Sequence, residues 1–147
     1  MDDCLFSSNT VEWGTPQDLF DKLNEEFHFT LDPCCTDENA KCEKHYTKEQ
    51  DGLLQDWTGE TVYCNPPYGK EMPKWIKKCY EHFKNGGTAV MLIPARTDTK
   101  AFHEYIYGKA EIRFIRGRLK FLGGGGNKNS APFPSMIVVF RDYDFIK

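Results

Sequence analysis

The 147 residues are 39% hydrophobic and 14% aromatic, enough to build the core of one domain, 1–147, and too much for a disordered tail. No apolar run approaches the roughly 20 residues that cross a bilayer, and "MDDCLFSSNT" has neither a basic start nor an apolar segment, so a soluble, cytoplasmic protein is expected. The net charge of −3 does not exclude a polyanionic partner, because it is unevenly divided: residues 1–60 carry 15 acids against four lysines, and residues 61–147 carry 15 bases against seven acids.

Thr15-Pro16 has the form of a helix start, with Thr15 as N-cap and Pro16 in the first turn. Leu19, Phe20, Leu23 and Phe27 then recur at helical spacing, which predicts an amphipathic helix over 16–27. "FTLD" (29–32) predicts a short strand that stops at Pro33. The polar stretch after it contains Cys34, Cys35, Cys42 and His45, four potential zinc ligands. Adjacent cysteines fit the paired zinc spacing poorly, so no metal is expected, and the six cysteines are expected as thiols.

"TVYCN" (61–65) is a β-type run that enters "NPPYG". Pro66 and Pro67 remove two backbone donors and fix φ, so the strand must leave the sheet as a stiff turn. Such a turn holds its side chains and carbonyls in one geometry, as a binding site requires, although an ordinary strand-ending loop uses the same residue types. "PKWIKKCYEHFKNGG" predicts a helix stopped by Gly86-Gly87. "TAVMLIP" (88–94) predicts a strand buried on both faces. "TKAFHEYIYG" predicts a further helix, "EIRFIR" a strand, and "SMIVVF" a last strand. Four glycines (123–126) predict a mobile loop over 122–131. The alternation predicts an α/β fold with a mainly parallel sheet, the last two strands forming an antiparallel edge. Ligands of such sheets bind at strand carboxyl ends, where both "LDPCC" and "NPPY" fall. The bases of 109–128, including Arg116, Arg118, Lys120 and Lys128, provide a surface for a polyanion or simply keep an edge strand soluble.

Asn-Pro-Pro-Tyr at a strand end resembles the catalytic motif of S-adenosylmethionine-dependent amino-methyltransferases. "TPQDLFDKL", "LDPCC" and "QDW" (55–57) follow in the order found in adenine DNA methyltransferases. From "WGTP" to "PFPSMIVVF" the chain is similar to phage-type DNA N6-adenine methyltransferases of the Dam family. The resemblance implies a compact Rossmann-like fold, S-adenosylmethionine as cofactor, a flipped adenine of DNA as substrate and, for a phage product, the host cytoplasm.

By that analogy the Asn65 side-chain oxygen and the Pro66 carbonyl accept the two hydrogens of the adenine amine. Pro67 stiffens the turn, and Tyr68 stacks on the base, a contact of about 1–3 kcal/mol. Phe121, ahead of Phe133, is the candidate for the other face of the base. Thr15, Pro16, Asp32, Pro33, Asp56 and Trp57 are the expected cofactor contacts. Arg96, Arg116, Arg118, Lys120 and Lys128 are the expected contacts to the DNA backbone. "TDENAK" stands where related enzymes carry a glycine-rich turn, and Asp37 and Glu43 are the candidates for the ribose hydroxyls. Methylation of RNA or of a protein glutamine, and a nucleic-acid-binding module of the same fold without turnover, remain the alternatives. A small zinc-binding interaction domain is a third. The oligomeric state and the recognition sequence are not legible.

Overall fold

A computed structural model describes residues 14–121 and 130–142. Helix α1 is Gln17–Phe27; it starts after Pro16 and ends at His28, whose left-handed backbone (φ 57°) turns its N–H onto the Asn24 carbonyl. Thr15 is not its cap: no side chain caps this terminus. Helix α2, Met72–Lys84, carries Pro73 in its first turn. Gly86 (φ 97°) closes its end by donating to the Phe83 carbonyl.

The strands are β1 (Thr61–Cys64), β2 (Thr88–Pro94), β3 (Glu111–Phe114) and β4 (Ser135–Phe140). The expected strand 29–32 is reduced to two parallel bridges, Leu31 to Val62 and Asp32 to His45. The helix expected around "FHEYI" is a single π-helical turn, Phe102–Ile106, in which Tyr107 N–H reaches the Phe102 carbonyl at 2.8 Å.

The sheet order is β1-β2-β4-β3. β1 and β2 pair in parallel, while β4 pairs antiparallel with both β2 and β3. Two of the three ladders are therefore antiparallel, which corrects the expectation of a mainly parallel sheet with an antiparallel edge. The reason is where the reversed strand sits. β4 inserts between β2 and β3 instead of lying outside them, so one strand of opposite direction makes both of its ladders antiparallel.

Alternation along the strands divides the core in two. Val62, Cys64, Met91 and Ile93 meet Trp75, Ile76 and Cys79 of α2. Tyr63, Val90 and Leu92 meet Phe20 and Leu23 of α1 together with Phe121 and Phe133. Each such apolar side chain contributes about 1.5–3 kcal/mol through burial. Gly52, in a 3-10 turn over Gly52–Leu54, permits one close approach: a Cβ there would lie 2.0 Å from the Pro33 carbonyl oxygen. Most of the expected loop 122–131, with Lys128, lies outside the described residues. Among the described residues no helix is long and apolar enough to cross a membrane.

Candidate active site

The strand directions bring one set of residues to one edge. β1 ends into Asn65, β2 ends at Pro94, and reversed β4 begins just after Phe133. The Ala95 N–H donates to the Pro134 carbonyl at 2.8 Å, which ties the last two together. Period-two alternation puts Asn65 on the face of Tyr63, toward α1.

A chain of hydrogen bonds crosses this edge. The Tyr63 hydroxyl and Thr15 Oγ1 share a bond of 2.6 Å. Asn65 Nδ2 donates to Thr15 Oγ1 at 3.2 Å. Tyr68 O–H donates to Asn65 Oδ1 at 3.0 Å and lies 3.4 Å from the Leu92 carbonyl oxygen. Thr15 and Tyr63 are buried. Burial pushes the Tyr63 and Tyr68 hydroxyls above the ordinary phenol range, so both keep their protons at neutral pH. The amide of Asn65 is thus held with its nitrogen turned inward and its oxygen toward Tyr68. The Tyr68 ring meets Phe133 and Phe121 edge-on, with centroids 5.4 and 6.3 Å away. Pro66 is buried and Pro67 half-buried on the same turn. Both phenylalanine candidates, not Phe121 alone, therefore adjoin Tyr68.

Asp32 ends the neighbouring bridge of the sheet and is 3% exposed. Its carboxylate accepts the Lys41 N–H at 2.9 Å and the Cys34 N–H at 3.4 Å. "TDENAK" is therefore shaped by a side chain, where a glycine-rich turn would be shaped by its own backbone. Burial pushes the Asp32 carboxyl up to about 6, against the pull of those two N–H groups. Among the described residues no ion pair engages it. The buried carbonyl of Pro33 faces Gly52. His45 donates from Nδ1 to the Glu43 carbonyl at 2.8 Å and pairs through Nε2 with Asp37 at 2.9 Å. Among the described residues no three His, Cys, Asp or Glu side chains converge as metal ligands would.

Asp56 and Trp57 lie elsewhere. They line a cavity of about 450 Å³ with Thr61 and Thr88, the first residues of β1 and β2. The four residues of β1 put this end about 13 Å from Asn65. Asp56 accepts the Thr58 N–H and O–H at 2.9 and 2.6 Å, closing a local turn. Trp57 Nε1–H donates to the Gly52 carbonyl, its ring stacks on Trp75, and Lys78 Nζ sits 4.8 Å from its centroid. The expectation is that this pair contacts the cofactor together with Asp32; the fold places it at the opposite end of β1 from Asn65. "QDW" precedes β1 and "NPPY" follows it, so closeness in sequence becomes opposite ends of a strand.

Arg96, Arg116, Arg118 and Lys120 are exposed and follow the carboxyl ends of β2 and β3. Among the described residues no ion pair engages them. Arg113 differs: it forks onto Glu26 with two bonds of 2.8 Å and also pairs with Glu111. Tyr63 went unassigned in the sequence. Its alternation with Asn65 was legible, but its bond to Thr15, 48 residues away, was not.

The family model described as DNA N-6-adenine-methyltransferase (Dam) matches residues 5–145. The DNA N-6-adenine-methyltransferase of Haemophilus phage HP1 is 30% identical over 134 residues, covering 88% of this chain and 78% of that protein. The protein of the same name from Escherichia phage T1 is 31% identical over 146 residues, 82% of this chain and 60% of its own length. With its asparagine-centred turn on the edge built above and a match over nearly its whole length, the chain belongs to the Dam family of DNA N-6-adenine-methyltransferases.

Proposed function

We propose that this protein transfers a methyl group from S-adenosylmethionine to the N6 amine of adenine in DNA. The observation that carries the reading is the Asn65 amide on a proline-locked turn, its oxygen turned toward an aromatic cluster of Tyr68, Phe121 and Phe133. An exocyclic adenine amine is a poor nucleophile because its lone pair is delocalised into the ring. Asn65 Oδ1 and the Pro66 carbonyl accept its two hydrogens and favour the pyramidal nitrogen. Tyr68 stacks on the base, which must leave the duplex to reach it, and buried Phe121 and Phe133 support the Tyr68 ring edge-on. The finer fold reading, a Rossmann-like methyltransferase, rests on β1, β2 and β3 sharing one direction, with their carboxyl ends at the Asn65 edge.

S-adenosylmethionine supplies an electrophilic methyl group on a sulfonium. The residues fit a cationic group of this kind: Asp32 is a buried carboxylate with no ion-pair partner among the described residues, next to Leu31, which bridges to β1 at Val62. Asp32, Pro33, Thr15 and Pro16 are the residues we assign to this end; Asp56 and Trp57 are not. Arg96, Arg116, Arg118 and Lys120 would meet DNA phosphates, which makes affinity steeply salt-dependent.

The test is transfer of labelled methyl to unmethylated duplex DNA followed by nucleoside analysis, with RNA and protein pools alongside. Label in N6-methyladenine of DNA is expected. Label confined to RNA or protein, or none from folded protein, would overturn the reading.

A further inference from the structure

We infer that Tyr63 and Thr15 form a two-residue relay that fixes which end of the Asn65 amide faces the substrate; this rests on the reading of Asn65 as the acceptor for the adenine amine. The two ends of an asparagine amide have nearly the same shape, and a half-turn exchanges an acceptor for a donor. A reversed Asn65 would point N–H groups at the N–H groups of adenine, and the site would repel what it must bind.

Shape cannot prevent the reversal, so hydrogen bonding must. Thr15 Oγ1 sits 3.2 Å from Asn65 Nδ2 and accepts from it. A hydroxyl alone is an ambiguous partner, since it also donates and would serve the amide oxygen equally well. The Tyr63 hydroxyl removes the ambiguity. It lies 2.6 Å from Thr15 Oγ1, a distance at which either hydroxyl can donate; with Thr15 as the donor, the threonine proton is engaged and its lone pairs are left for the amide nitrogen. Neither residue has water as an alternative partner, because Thr15 is 3% and Tyr63 1% exposed. Tyr63 is held in turn by edge contacts with Phe20 and Phe29, centroids 5.2 and 5.3 Å away. Both are positioning residues: they act on the substrate through Asn65.

The inference also accounts for a buried hydroxyl pair in an aromatic core, where phenylalanine and valine would pack with less desolvation. It explains why the segment before α1 sits against the catalytic turn although Thr15 caps no helix.

The test is a set of variants assayed by single-turnover methyl transfer, with donor affinity measured separately. Thr15→Val should lower the single-turnover transfer rate at saturating donor between about tenfold and a hundredfold, the scale of a misoriented catalytic group. Thr15→Ser keeps the hydroxyl and should restore the rate. Tyr63→Phe frees the threonine proton for the amide oxygen and should cost about twofold to tenfold, the scale of one net hydrogen bond. The decisive result is the double variant: Tyr63→Phe should cost nothing further once Thr15 is Val.

Additive losses, or losses that follow thermal stability and are not rescued by Ser, would reduce the pair to ordinary core residues and overturn the relay. Unchanged rates in Thr15→Val and Tyr63→Phe would overturn it too. If Asn65→Ala itself keeps the full rate, the acceptor reading fails instead, so the two failures are told apart.

Discussion

At the carboxyl end of β1, Thr15, Tyr63, Asn65 and Tyr68 are bonded to one another in a mostly buried cluster. At its amino end, Asp56 closes a turn on Thr58 in solvent and Trp57 is tied to the Gly52 carbonyl and Trp75. Both ends have a carboxylate, aromatic rings and a cavity or cluster. At the carboxyl end the orientation of a side-chain amide is set by the hydroxyls of Thr15 and Tyr68, whereas at the amino end the carboxylate is bonded within its own exposed turn. The difference teaches what to look for in a site: water cannot substitute for a buried, hydrogen-bonded amide, so its geometry is specified. A solvated aspartate in a turn has no such constraint.

The largest effect that can break the comparison is at Asn65. Asn65→Ala should reduce single-turnover methyl transfer by about 10²–10³-fold, as loss of a preorganised polar group at a reacting atom does, while donor affinity stays. Tyr68 sharpens the comparison within the edge. Tyr68→Ala should weaken use of DNA by the roughly 1–3 kcal/mol of one base-stacking contact. Tyr68→Phe keeps the ring and frees Asn65 Oδ1 from the competing phenol, so kcat/KM for DNA should rise severalfold, within the roughly twofold to tenfold of a net hydrogen bond.

Asp32 gives an effect with opposite signs for two measurements. Its carboxyl is raised to about 6 in the folded protein, above the ordinary 3.8. The stability it contributes is fully present below about pH 4 and is lost as pH rises through 6, about 3 kcal/mol at most. A cationic donor prefers the ionised form, so donor affinity should fall as pH drops below 6. Denaturant titrations and donor binding across pH 4–8 check both trends, and Asp32→Asn should flatten them. The smallest effect is at the other end. Asp56→Ala should leave the transfer rate and donor affinity within about twofold and cost no more than about 1 kcal/mol of stability, the scale of one capping bond.

How much of this was legible follows from the range of the interactions. The turn at Asn65 was written in Pro66 and Pro67, because prolines act on their own backbone. Helices α1 and α2 and the buried strand β2 were legible for the same reason: their signals are periodic and local. β4 was recognised as a strand, but its place between β2 and β3 was not, since apolar runs of equal length pair in either direction. The role of Asp32 as anchor of "TDENAK" was hidden because it depends on the Lys41 N–H nine residues on. Asp56 and Trp57 were named from the resemblance of "QDW" to a cofactor-binding pair, and their place at the amino end of β1 depends on tertiary packing that the motif does not carry.

The most direct measurement is photo-crosslinking of labelled S-adenosylmethionine to the intact protein, with the label mapped by peptide. The account predicts label in peptides spanning Thr15–Pro33 or Tyr63–Tyr68, displaced by unlabelled donor. Label concentrated in the peptide of Asp56 and Trp57 would move the donor to the amino end of β1 and contradict the assignment of the active edge.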